Sequence, residues 1–192
     1  MSGSGAGNSD GGAPREGLRR LFLALWPEAG VRDRLRERLE AGLRLRDGRP
    51  EPLANLHVTL VFIGDVETAR AAAIERAVAG VPGDAFTFSL ERVGYWPRPR
   101  ILWLGPRATP PALYALVGSL RAAVMAAGGP EETRPYLPHI TLARKVARPP
   151  RVDRIEPLSW EVTRYCLLES VPAANRRAYL ELGCWPLRRE IP

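Results

Sequence analysis

The tetrapeptides His57-Val58-Thr59-Leu60 and His139-Ile140-Thr141-Leu142 hold the only two histidines of this 192-residue chain. Seven threonines are present in all, so the chance that both histidines have one two positions later is on the order of one in a thousand. The branched apolar residues of both segments read as β-strand. In a strand, residues i and i+2 share a face while i+1 and i+3 point to the other. His and Thr therefore project from one surface, and Val58, Leu60, Ile140 and Leu142 anchor the opposite surface in a core. Two such strands brought together would line a cleft with two imidazoles and two hydroxyls.

Outward from the first motif, residues 20–27, RLFLALWP, are apolar on both faces, as in a central strand ended by Pro27. Between positions 28 and 45, Val31, Leu35, Leu39 and Leu43 recur at helical spacing among Arg and Glu, which predicts an amphipathic helix. The segment DGRPEPLAN, 47–55, is a loop. The strand of the first motif ends at Gly64, and an Ala-rich helix capped by Asp65 is expected over 66–78. FTFSLERVGYW (86–96) and ILWLG (101–105) read as two strands joined by the turn PRPR. A second helix is expected over 110–127, ending at Gly128-Gly129. After a loop and the second motif, WEVTRYCLLES (160–170) and AYLELGCWPL (178–187) form a final strand pair. These two unequal passes of strands and helices predict an α+β fold: two mostly antiparallel sheets facing a central cleft, with helices outside.

Residues 1–17 are Gly- and Ser-rich and lack the apolar side chains needed to offset ordering entropy, so they read as a disordered tail. Residues 18–192 are expected to form one bilobal domain, and 45% hydrophobic content supports a real core. The formal net charge of +7 favours a polyanionic partner. Lys145 is the only lysine, however, and the arginine excess fits equally with a compositional bias that leaves a solvated surface. Cys166 and Cys184 are too few for a disulfide framework and fall in apolar runs, so two small buried thiols in a reducing cytoplasm are expected. No stretch reaches the length of a membrane span, and no signal-peptide pattern opens the chain.

Opening a cyclic phosphodiester needs a base to activate water on one side of phosphorus and an acid to protonate the departing oxygen on the other. Imidazole titrates near neutrality, so two histidines fill both roles without extreme tuning. Threonine hydroxyls donate to the non-bridging oxygens. Two histidines with no acidic motif beside them do not make up the three ligands of a catalytic zinc, so neither metal nor cofactor is expected.

The paired motifs, with RLFLALWP, FIGDV, PRPRILWLG and PHITLAR around them, resemble the RNA 2′,3′-cyclic phosphodiesterases, or 2′-5′ RNA ligase-like proteins, of the two-histidine phosphoesterases, over roughly residues 19 to 187. The resemblance implies a bilobal fold and hydrolysis of RNA 2′,3′-cyclic phosphate ends to 2′-phosphomonoesters. It implies His57 as proton donor, His139 as proton acceptor, and Thr59 and Thr141 on the phosphate. It also offers Arg144 as a phosphate or nucleotide contact, against a solvated arginine. Tyr136, Tyr95 and Trp96 are either base-stacking platforms or packing residues, and Arg98 and Arg100 are offered as RNA-backbone contacts. The expected partner is RNA bearing a cyclic phosphate, such as a tRNA fragment, bound by a monomer in the cytoplasm. Ligation to a 2′-5′ linkage and RNA binding without turnover are the competing readings.

Overall fold

Phe22, Ala24 and Trp26 point one way from the first strand and Leu21, Leu23 and Leu25 the other, and both sets are packed, as its doubly apolar sequence predicts. The structure is a computed structural model and describes residues 17–42, 45–150, 155–174 and 176–189. In order these form β1 (Leu18–Leu25), α1 (Ala29–Gly42), β2 (Arg49–Pro50), a 3-10 turn (Leu53–Asn55), β3 (Val58–Glu67) and α2 (Thr68–Ala79). There follow β4 (Phe86–Leu90), β5 (Arg92–Trp96), β6 (Ile101–Gly105), α3 (Pro111–Ala126), β7 (Ile140–Arg144), β8 (Leu158–Val162), β9 (Arg164–Ala173) and β10 (Arg176–Pro186). Residues 1–16 of the expected tail and residues 43–44 of the expected first helix lie outside the described residues.

The α+β fold with antiparallel strands forms as expected. A large sheet runs β10-β9-β1-β3-β7-β6-β5, with β2 on the flank of β7, and a second sheet pairs β4 with β8. The group β10-β9-β1-β3 meets the group β7-β6-β5 at one antiparallel residue pair, Val58 opposite Ile140. On one face of the large sheet Leu23, Val58, Leu60, Ile140 and Leu142 pack beneath α2 and α3, whose Ile74, Val78, Leu113, Leu116 and Leu120 are buried in the same core. Each such side chain contributes roughly 1.5–3 kcal/mol when fully buried. The opposite face carries a smaller cluster of Phe22, Ala24, Cys166 and Leu168, flanked by Trp26, Phe62, Tyr179 and Cys184.

Several local expectations are corrected. FTFSLERVGYW is not one strand: it breaks at Glu91, whose N–H donates to the Gly105 carbonyl, so that β4 joins β8 while β5 joins β6. WEVTRYCLLES likewise divides at Thr163 between β8 and β9. Asp65 does not cap a helix. Gly64, at φ +79°, lets β3 keep pairing with β1 as far as Glu67, and Asp65 faces Arg20 across that pair at 3.5 Å. The two cysteines are not free thiols but a disulfide, because the β9–β10 register sets Cys166 opposite Cys184 with their Cα atoms 4.1 Å apart. Hydrophobic patterning identifies two paired strands but leaves their register open.

Trp103 of β6 lies flat across β5 because its cross-strand partner is Gly94, where an added Cβ would overlap the indole ring. Gly94→Ala should therefore lower stability by about 1–3 kcal/mol, the cost of forcing extra volume into a packed site. The shift in the denaturant unfolding midpoint measures it.

Candidate active site

Each histidine immediately precedes a strand, His57 before β3 and His139 before β7. Carrying the Val58–Ile140 register one residue either way sets His57 across from Thr141 and Thr59 across from His139. The four side chains share the face opposite the helices, and the two imidazoles are diagonal neighbours, a relation that typically spans about 7–8 Å. They sense each other: the charge of His139 disfavours protonation of His57. Val58, Leu60, Ile140 and Leu142 are buried on the other side, as the alternation predicts.

Both rings are fixed by the same device. His57 Nδ1 lies 2.6 Å from the carbonyl of Asn55, and His139 Nδ1 lies 2.8 Å from the carbonyl of Leu137. A carbonyl only accepts, so each Nδ1 carries the proton and donates it, which leaves Nε2 as the nitrogen available for proton transfer. His57 Nε2 is 3.1 Å from Thr59 Oγ1 and accepts from that hydroxyl when neutral. The rings are also walled by aromatics. Phe22, Trp26 and Tyr179 surround His57 at centroid distances of 4.9, 5.8 and 5.2 Å. Trp96 meets His139 edge-on at 4.6 Å, with Trp103 behind at 6.5 Å.

These walls determine the proton inventory. Burial pushes His57 down to about 4, against the opposing pull of the Asn55 carbonyl, and the charges of His139 and Arg144 lower it further. Burial and Arg144 also push His139 below its ordinary value. The expectation that the two roles need no extreme tuning is thus corrected for His57. Burial against these rings favours the neutral form of both imidazoles.

Arg144 is brought to the site. Leu142 is an extra residue in β7, since Trp103 pairs with Thr141 and Leu102 with Ala143, and this bulge re-aims Arg144 onto the imidazole face. Its Nε donates to Glu51 Oε1 at 2.7 Å. Trp96 is at the site too, packed on His139. Tyr136 is not: its ring packs edge-on against Tyr114 of α3 and joins the core beneath the sheet. Tyr95 also packs against that core and donates its hydroxyl to the Val146 carbonyl at 2.7 Å. Arg98 and Arg100 are exposed on the β5–β6 turn, beyond the Trp96 edge. Sequence reading missed Phe22, Trp26, Tyr179 and Trp103 as walls, and Glu51 and Asn55 as holders. Only the alternation of Phe22 with Trp26, in β1 and just past its end, hinted at two of these.

Among the described residues, the one group of three or more potential metal ligands is Cys166, Glu181 and Cys184, whose two sulfurs are bonded to each other. Neither histidine belongs to such a group. No helix of the described residues is long and apolar enough to cross a membrane.

A sheet carrying paired His-x-Thr strands defines a two-histidine phosphoesterase. The family described as LigT-like phosphoesterase matches the chain twice, over residues 26–103 and 104–179, one match for each histidine motif, and the chain belongs to that family. It is 32% identical over 173 residues to the RNA 2′,3′-cyclic phosphodiesterase of Escherichia coli strain K12, spanning 88% of this chain and 96% of that protein. It is 32% identical over 184 residues to the protein of the same name from Thermus thermophilus, spanning 89% and 91%. The crystal structure of E. coli LigT complexed with 3′-AMP superposes with a TM-score of 0.81 at 32% identity, over 88% of this chain and 98% of that one.

The two histidines should give two resolvable imidazole titrations by NMR, His57 near pH 4 and His139 below about 6.5, the ordinary value. Unfolded imidazoles take up protons near pH 6.5, whereas the native ones do so only at lower pH. The stability linked to them is therefore complete above about pH 6.5 and is lost as pH falls toward 4. Denaturant unfolding at pH 7 and pH 5 measures the loss.

Proposed function

We propose that this chain hydrolyses RNA 2′,3′-cyclic phosphate ends to 2′-phosphomonoesters by acid–base catalysis without a metal ion. The observation that carries this reading is the pair of imidazoles with Nδ1 tied to main-chain carbonyls and Nε2 left for chemistry, each matched with a threonine on one face. Thr59 and Thr141 hold the non-bridging oxygens. His139 Nε2 takes a proton from water as the water oxygen attacks phosphorus. The P–O3′ bond breaks, and His57 Nε2 gives its proton to the departing O3′. One turnover leaves His139 protonated and His57 neutral, and exchange with solvent restores both.

His57 must acquire a proton first, although burial resists it. The phosphodiester anion supplies the missing stabilisation, since a negative charge within a few ångströms favours the imidazolium. The charged pair thus assembles only with phosphate present. That burial against uncharged rings disfavours the charged form of both imidazoles supports this order of events. Arg144, whose charge already reaches both rings, adds a cationic contact to the phosphate. Trp96, Arg98 and Arg100 extend the surface along the β5–β6 edge for the flanking nucleotide and backbone. The net charge of +7 fits RNA as the polyanion.

His57→Ala and His139→Ala should each lower turnover of a cyclic-phosphate oligonucleotide by ~100- to 10,000-fold, and EDTA should leave the wild type unchanged. Adding a 5′-hydroxyl strand should still yield the 2′-phosphate rather than a joined product. Wild-type rates in both variants would sink the assignment.

A further inference from the structure

Residues 49–57 lead into the first catalytic strand, yet they are fastened to the strand of the second histidine. Arg49 pairs with Arg144 and Pro50 with Ala143, and the Glu51 N–H donates to the Leu142 carbonyl at 2.9 Å. The Glu51 carboxylate then accepts from Arg144 Nε at 2.7 Å, and both side chains are mostly shielded, at 22% and 16% exposure. Pro50 and Pro52 on either side of Glu51 fix φ and stiffen the stretch. Four residues on from Glu51, the Asn55 carbonyl holds His57 Nδ1. The bulge at Leu142 turns Arg144 toward the imidazoles but does not fix the tip of so long a side chain.

We propose that Glu51 is the positioning residue of the site: its carboxylate grips the inner nitrogen of Arg144 and so sets the plane in which the guanidinium meets the substrate phosphate. This deepens the phosphodiesterase reading and rests on it for the identity of the phosphate. Gripping at Nε directs the far end of the guanidinium away from Glu51, so the carboxylate orients the cation without occupying the phosphate position. Removing it takes away the contact at Nε and lets the guanidinium turn out of that plane.

The test compares the sign of an effect on the two imidazoles. Among the described residues, the charged groups that act on them are Arg144 on both and His139 on His57, and the ring walls are the uncharged Phe22, Trp26, Tyr179, Trp96 and Trp103. NMR titration of substrate-free wild type, Glu51→Ala, Glu51→Leu and Arg144→Gln gives the result without any substrate, so it does not depend on the phosphodiesterase reading. If Glu51 positions Arg144, either substitution at 51 moves the cation away and raises both imidazole titrations, in the direction that Arg144→Gln raises them. If Glu51 only balances charge while Arg144 stays in place, both titrations fall or stay unchanged, which overturns the proposal. Glu51→Leu keeps the volume should Glu51→Ala fail to fold. On a cyclic-phosphate oligonucleotide, Glu51→Ala should lose about 10- to 100-fold in kcat/KM, as loss of an orienting partner typically does, and Glu51→Asp should recover most of it. A wild-type kcat/KM in Glu51→Ala also overturns the proposal.

Discussion

Val58 and Ile140 face each other as the single residue pair by which β3 and β7 join two groups of strands, and nearly everything about the site descends from that contact. Because side chains alternate along each strand, one register decides that both imidazoles and both hydroxyls share a face, and that their apolar neighbours share the other. A slip by one residue on either strand would bury a histidine beneath α2 and α3 and turn a valine or isoleucine toward the cleft. The cost of burying an unpaired imidazole opposes that slip, so the pattern that encodes the site also protects its alignment. The family resemblance falls on the chain in two consecutive stretches divided between residues 103 and 104, so each stretch contributes one half of the constellation and neither holds both imidazoles.

The aromatic walls favour the neutral form of two imidazoles that stand next to an arginine. Phe22, Trp26 and Tyr179 take water away from His57, and Trp96 and Trp103 do so for His139. A neutral imidazole tolerates this environment and an imidazolium does not, so the charged state awaits a negative partner. The rings thereby tie the protonation of the site to its occupancy. Arg144 reinforces the same bias electrostatically, and the Glu51 carboxylate accepts from its Nε at 2.7 Å.

The sequence made the His-x-Thr face legible because its information is local: two residues apart on a strand is a fixed direction in space. The burial of Val58, Leu60, Ile140 and Leu142, the double-sided packing of β1, and the helices over 29–42 and 111–126 followed from the same short-range periodicities. What stayed hidden was register. The break at Glu91, the bulge that re-aims Arg144, the Cys166–Cys184 bond and the Glu51 contact all depend on which residue of one strand lies beside which residue of another, 14 to 93 positions away. Tyr136 illustrates the same limit. Three positions from His139, it turns under the sheet toward Tyr114, because the loop before β7 crosses from one face to the other.

The acceptors that orient the two imidazoles are main-chain atoms, and this has a consequence for how such a site drifts over generations. A replacement at position 55 or 137 exchanges a side chain but keeps the carbonyl, so the proton-bearing nitrogen of each ring is insulated from substitution at the residue that holds it. Leu137, half exposed, orients His139 through its carbonyl and not through its side chain. Asn55 is constrained for a separate reason, since its amide donates to the Arg177 carbonyl and ties the loop to β10. Catalytic orientation is thus written into chain path rather than residue identity, and it persists as long as the backbone enters each strand from the same side.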